Sequence, residues 1–268
     1  MNTAQETGGV EFDPWHSLRK ITAARIALGR SGGSLPTREA LEFRLAHALA
    51  RDAVLSPFDA EALAGDLGAL GMETLVACSA VRDRAEFLQR PDFGRRLAPE
   101  SRALLVERAA SLPPVDLAVV ISDGLSTLAA CTQAAPVLEG LLPLLREEGG
   151  WTLAPIVVAR HARVALQDEV GEIFRAKISL MLLGERPGLG SADSLGAYFT
   201  YAPAIGRSDA ERNCISNIRP GGLSPAEAAR KLHCLLAQSR RLGVSGIALK
   251  DEHLLPSSAA GVKLVEEG

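Results

Sequence analysis

The chain has 268 residues, 47% of them hydrophobic, with a formal net charge of −3 at pH 7. That length allows one large domain or two small ones; interspersed charges and only 4% aromatic residues argue against nucleic acid as the main partner. No apolar run approaches the roughly 20 residues needed to cross a bilayer, and Cys78, Cys131, Cys214 and Cys234 are widely spaced without a CxxC pair, which favours reduced thiols in a cytosolic protein over a disulfide framework or zinc site.

The opening MNTAQETGGVEFDPW lacks the basic region and apolar core of a secretory signal, and residues 1–13 read as a disordered leader. Residues 14–110 read as a helical N-terminal domain. Leu18, Ile21, Ala24 and Leu28 recur at helical spacing behind Asp13-Pro14, and Gly29 and Gly32-Gly33 end that segment. Thr37 is a candidate N-cap for a second helix with Leu41, Leu45, Ala48 and Leu49 as its apolar stripe. Asp59 starts a short third helix, Leu75–Cys78 is a brief extended piece, and Asp83 with Glu86 has capping-box spacing. Pro99-Glu100 opens a helix to about Ala110. These stripes imply a helical packing layer. Within it, RPDFGRRL (Arg90 to Leu97) has a composition that could bind an anion; a plain turn with solvated arginines is the alternative, and charge runs are usually solvated.

After Ser111-Leu-Pro-Pro the pattern changes, and residues 111–268 read as a second domain. Val115 to Ser122, about Leu153 to Val158, and Ile178 to Leu183 are apolar runs of the kind that form strands buried on both faces. A helical segment interrupted by Pro136 and Pro143 follows the first run, and Leu166 to Ala176 follows the second. Tyr198 to Tyr201 is a candidate fourth strand. Ser224-Pro225-Ala226-Glu227 combines an N-cap, a first-turn proline and an acidic third position; Leu232, Leu235 and Leu236 form the buried face, and Gly243 is the expected C-cap. The fold class is therefore α/β: a helical N-terminal region followed by a Rossmann-like, open, mostly parallel sheet. Ligands bind beyond the carboxyl ends of such strands, so the loops DGLS (Asp123–Ser126), HARV (His161–Val164) and GERPGLG (Gly184–Gly190) should meet at one crevice.

In those loops Asp123 and Ser126 either face a ligand or simply cap a turn. Gly124-Leu-Ser126 lacks the second glycine of a nucleophile elbow. The first strand is not followed by GxGxxG, and neither Tyr198 nor Tyr201 has a lysine four residues on, so nicotinamide chemistry loses ground. A nucleotide-binding oxidoreductase of Rossmann type rests on fold analogy alone. Glu185 can accept a hydrogen bond from a ligand or pair internally with Arg186 or Arg163. Cys214 is either a small buried hydrophobe or, beside Asn213 and Ser216, part of a polar loop that cradles a ligand. His16, His47, His161, His233 and His253 are scattered, and no triad or paired-carboxylate catalyst is visible. A polar crevice without catalysts suggests a chain that binds a cofactor while another chain does the chemistry.

VVISDGLST (Val119 to Thr127), ARV…DEVGE (Ala162 to Glu172), GERPGLG and RNCISNI (Arg212 to Ile218), with RPDFGRRL upstream, resemble the ethanolamine ammonia-lyase small subunit family from about Asp13 to Ile247. The resemblance implies an adenosylcobalamin-dependent radical enzyme converting ethanolamine to acetaldehyde and ammonia. It implies a large-subunit partner whose TIM barrel carries the substrate site, and a small subunit that holds the cobalamin against it. By the same resemblance Val164, Glu185 and Cys214 contact the cofactor, and the surrounding loops add Arg163, Arg186, Pro187, Gly188, Asp123, Ser126, Asn213 and Ser216. No catalytic residue and no protein ligand to the cobalt is expected of this chain. Some members carry a longer N-terminal extension associated with bacterial microcompartments; only about a dozen residues precede Asp13 here, so cytoplasm is the expected location and enclosure the alternative.

Overall fold

A computed structural model of the chain describes residues 10, 11 and 13–250. Residues 1–9 and 12 of the expected leader, and everything from 251 on, including His253, lie outside the described residues.

Six strands form one sheet: β1 (Thr74–Cys78), β2 (Leu117–Ser122), β3 (Ile156–Arg160), β4 (Ile178–Gly184), β5 (Leu195–Tyr201) and β6 (Arg212–Ile218), in the order β1-β3-β2-β4-β5-β6. The pairs β1–β3, β3–β2 and β2–β4 are parallel, whereas β4–β5 and β5–β6 are antiparallel. Only β5 therefore runs against the common direction. Every residue of β2 and β4 is buried, which is why both appear in the sequence as unbroken apolar runs. The brief extended piece at Leu75–Cys78 is β1, so the sheet draws a strand from within residues 14–110.

Among the described residues seven α-helices accompany the strands: α1 (Thr37–Leu55), α2 (Ala60–Gly68), α3 (Arg84–Gln89), α4 (Pro99–Ala110), α5 (Thr127–Glu148), α6 (Leu166–Ile173) and α7 (Pro225–Leu242). One face of the sheet, with Val119, Ile121, Val158, Leu180, Leu182 and Phe199, packs on α2, α5 and α7. The other, with Val120, Val157, Met181 and Leu183, packs on Leu105 and Ala109 of α4 and Leu166 and Val170 of α6. The chain leaves β2 through α5 on one face to reach β3, then crosses by α6 on the other face to β4, on the opposite side of β2. The strand order thus reverses at β2, and the loops after β2 and β4 open where an α/β sheet offers a crevice.

Several local expectations are corrected. The helical spacing at Leu18–Leu28 yields only a 3₁₀ helix, Pro14–Lys20, capped by the Asp13 side chain on Trp15 N–H. Leu18 and Ile21 stay exposed: among the described residues no element covers these two, and a helix gains most of its stability from burying a face. Thr37 is the first residue of α1 rather than its cap, Pro36 standing at that position without a side-chain bond. The expected stripe of α1 faces outward, with Leu41 56%, Leu45 61% and Leu49 54% exposed, while Ala46 and Ala53 are the buried residues. Pro136 and Pro143 do not interrupt α5, which runs unbroken between the sheet and α7. This core helix also has the length and apolar character of a membrane span, with half of that stretch buried in the fold. The polar stretch RNCISNI is an edge strand, β6, not a loop. α7 has both halves of its capping box and Gly243 left-handed at its end, as its sequence indicates.

Candidate functional site

Three loops meet beyond the carboxyl ends of β2, β3 and β4. Gly124 sits at φ +50°, and Leu125 N–H donates to Gly184 O at 2.9 Å. A cavity of about 360 Å³ opens there, lined by Gly124, Leu125, Arg163, Leu183, Gly184, Glu185, Arg186 and Tyr198. The DGLS, HARV and GERPGLG loops each contribute to it. A second cavity of about 390 Å³ shares Arg163 and Leu183 with the first and continues past Val164 to Arg95, Arg207 and Arg212. Sharing those two residues, they adjoin as one open groove at the carboxyl ends of β3 and β4.

Beneath the groove lies a buried polar hub. Asp123 pairs with Arg84 Nη1 at 2.7 Å and accepts from His161 N–H at 2.7 Å and from Ser122 Oγ at 3.0 Å; the His161 ring Nδ1 is 3.2 Å away. Arg84 donates as well to Gly124 O at 2.7 Å. Asp123 is therefore a buried organiser of the loops. Phe87, fully buried on α3, carries two guanidinium groups against its ring, Arg163 at 4.0 Å and Arg84 at 4.8 Å. Arg163 also donates its backbone N–H to Gly94 O at 2.7 Å and Nη2 to Phe87 O at 2.9 Å, which leaves its buried Nε without a partner. Burial, and after it the like charges of Arg84, Arg95 and Arg186, pull Arg163 below the ordinary arginine range. Sequence reasoning did not mark Arg84 or Phe87 as site residues; the Asp83–Glu86 spacing that announces α3 is the one local sign of them.

On the far side, Glu185 spans β5 and β6. Its Oε2 accepts from Ser194 Oγ at 2.6 Å and from Asn217 N–H at 3.1 Å. A Cβ placed on Gly196 would stand 2.9 Å from Glu185 Oε1 and 2.8 Å from the Tyr198 ring, so the glycine leaves room for both side chains. Tyr198 is paired across the ladder with Cys214; burial raises the Tyr198 hydroxyl well above its ordinary value. Cys214 and Ser216 are exposed on β6, an edge strand. Arg186 is exposed, and Pro187 and Gly188 lie half-buried, with Gly188 and Ser191 closing the turn by mutual backbone bonds.

Two predicted residues serve elsewhere. Ser126 is the N-cap of α5, accepting from Ala129 N–H at 3.1 Å and donating to Ala192 O at 2.7 Å. Asn213 ties the edge of the sheet to the 3₁₀ turn Gly246–Ala248, accepting from Gly246 N–H at 2.7 Å. Val164, Glu185, Arg163 and Arg186 flank the groove. It offers hydrogen-bond acceptors, guanidinium donors and close backbone approach, an arrangement suited to holding a ligand.

A profile of the ethanolamine ammonia-lyase light chain matches residues 12–250. The chain is 52% identical over 253 residues to an ethanolamine ammonia-lyase small subunit of Ralstonia nicotianae, covering 94% of this chain and 93% of that one. It is 53% identical over 241 residues to the small subunit of Azotobacter vinelandii, covering 90% and 89%. It is 51% identical over 253 residues to that of Pseudomonas syringae pv. tomato, covering 94% and 88%.

Proposed function

Because the chain belongs to the ethanolamine ammonia-lyase light chain family, we propose that it is the small subunit of an enzyme converting ethanolamine to acetaldehyde and ammonia, and that it seats adenosylcobalamin against a large subunit. The observation that carries this reading is the groove. Its two cavities, about 360 and 390 Å³, are each of the size that fits a drug-like ligand, too small to enclose a corrinoid. A half-site of this kind needs a second wall, and a partner chain supplies one. On this reading residues 111–268 supply most of a Rossmann-like cobalamin-holding domain, a view favoured by the reversal of strand order at β2, and the mainly helical region 14–110 adds β1 and covering helices to the same sheet. The proposed location is the cytoplasm.

The residues present suit the cofactor. Cobalamin carries a rim of amides, and the groove is lined by Glu185, with Oε1 beside Gly196, and by the guanidinium of Arg163, whose buried Nε has no partner. When bound, adenosylcobalamin supplies an organic radical by homolysis of its cobalt–carbon bond. The work of this chain is to hold and orient. Glu185 would accept from a corrin amide, Val164 and Leu183 would give apolar contact, and Arg163 and Arg186 would bring guanidinium donors to the cofactor outside its amide rim. Cys214, Ser216 and Tyr198 form the floor, and Pro187 and Gly188 bring the backbone near. Asp123 and Ser126 act one layer down, fixing the loops that carry those contacts, while Asn213 secures β6, the strand that carries Cys214 and Ser216. The cobalt takes no ligand from this chain. A nucleotide-binding oxidoreductase finds no support among the relatives.

The test is co-expression with a large subunit, followed by titration of the purified complex with adenosylcobalamin and ethanolamine. Cofactor binding and ammonia release that require both chains are expected. A stable complex that neither binds cobalamin nor releases ammonia overturns the proposal.

A further inference from the structure

Six arginines line the groove or the polar hub beneath it on an acidic chain of net charge −3. Arg84 is spent on Asp123. Deeper in the second cavity, Arg207 pairs with Glu211 and Arg212 with Asp168. The remaining three, Arg95, Arg163 and Arg186, have no carboxylate partner among the described residues. They come from three separate elements: the 3₁₀ turn Phe93–Arg95, the loop after β3 and the loop after β4. Arg163 lines both cavities, with Arg186 in the first and Arg95 in the second.

We infer that Arg95, Arg163 and Arg186 form an anion site for the phosphodiester of the cofactor's nucleotide tail. The inference rests on the proposed seating of adenosylcobalamin in this groove. The corrin amides are neutral, and the phosphodiester is the anionic group among the cofactor's substituents. Its tetrahedral oxygens can take several guanidinium groups together, which a single carboxylate does less well. Arg163 is the anchor. Phe87 and two backbone bonds fix its direction, and the buried Nε retains a donor with nothing to receive it. Burial first, and after it the charges of Arg84, Arg95 and Arg186, lower the affinity of Arg163 for its proton, and an anion beside Arg95 and Arg186 offsets the part that is repulsion. The RPDFGRRL segment then has a purpose beyond its turn: Gly94 receives the Arg163 backbone N–H, and Arg95 beside it faces the groove.

The experiment uses the complex with the large subunit. Dissociation constants are measured by equilibrium titration for adenosylcobalamin and for adenosylcobinamide, which lacks the phosphodiester and the nucleotide. Arg95 and Arg186 are exposed, so the R95A/R186A variant keeps the fold, and R163K keeps the charge while removing the fork. For R95A/R186A, affinity for adenosylcobalamin is expected to fall roughly tenfold to a hundredfold, with affinity for adenosylcobinamide unchanged. R163K should show a smaller loss confined to the same ligand. Equal losses for both ligands, or no loss for either, overturn the anion site and leave the proposed function standing. A defect seen only in subunit association, measured by sedimentation, also overturns it and assigns the arginines to the partner chain's carboxylates. If the wild-type complex binds neither corrinoid, the proposed function itself fails.

Discussion

Gly124 and Gly184 approach so closely that neither position has room for a side chain. A Cβ on Gly124 would lie 2.3 Å from the Gly184 carbonyl oxygen, and one on Gly184 would lie 2.1 Å from Ser126 O and 2.3 Å from Asp123 O. The loop after β2 is thereby fixed on the end of β4, and two of the three loops of the groove move as one. Gly184→Ala is expected to lower stability by at least about 2 kcal/mol, read from the denaturant midpoint. An unchanged midpoint would show that the loops are free to separate.

Glu185 joins the strands to the groove, so its two roles separate by substitution. Glu185→Gln keeps an oxygen for Ser194 Oγ and Asn217 N–H and should retain stability. Glu185→Ala loses both bonds, about 1 kcal/mol or more. In the complex, the alanine variant is expected to bind adenosylcobalamin about tenfold more weakly, a loss of about 1.4 kcal/mol. If all three proteins bind it equally, Glu185 is a strand tie and nothing more.

The bidentate pair between Arg212 and Asp168, 2.6 Å on both branches, is almost wholly buried, at 3% and 1% exposure of the two side chains. It fastens α6 to β6 and so keeps the groove floor beside the Val164 loop. Arg212→Met strands a buried carboxylate and should cost about 3–5 kcal/mol. The double variant R212M/D168L should cost much less than the two single changes together. Additive losses in thermal or urea unfolding would refute that coupling.

Glu211 predicts a pH dependence. Ser208 N–H, then Arg207 and the Ser208 hydroxyl, hold its carboxyl down to about 2. The folded value lies below the unfolded one of about 4.3. Its contribution to stability is therefore complete above the unfolded value and disappears as pH falls towards about 2. The stability difference between wild type and Glu211→Gln should be constant near neutrality and shrink below about pH 4.5, as urea titrations across a pH series would show. A difference that persists to pH 2 would mean the contacts act independently of charge.

The parts of the fold that could be read in advance are those where burial writes a pattern. β2 and β4 are covered on both faces and so are apolar at nearly every position, while α7 advertises itself through Ser224, Pro225 and Glu227. β6 gave no such sign, because an edge strand beside an open groove buries only Arg212, Ile215 and Ile218, and the first of these is charged. α1 misled because its leucine stripe faces outward in this chain. Pro136 and Pro143 suggested a break in a helix whose burial on the sheet and α7 keeps it whole. At the site, the loops that meet were legible from strand ends. The contents of the hub were not: the pairing of Arg84 with Asp123 joins residues 39 positions apart, and no local pattern encodes it.

The edge strand β1 sets an order on how this chain comes together during synthesis. Thr74 is in register with Ile156, so β1 emerges roughly eighty residues ahead of its hydrogen-bonding partner. In that interval the leucines of α2, Leu63 and Leu67, also lack the sheet and the long helix α5 that cover them in the finished protein. The early third of the chain therefore leaves part of its apolar surface uncovered until α5 and β3 have been made. The strand made first thus waits for the third before it can join the sheet.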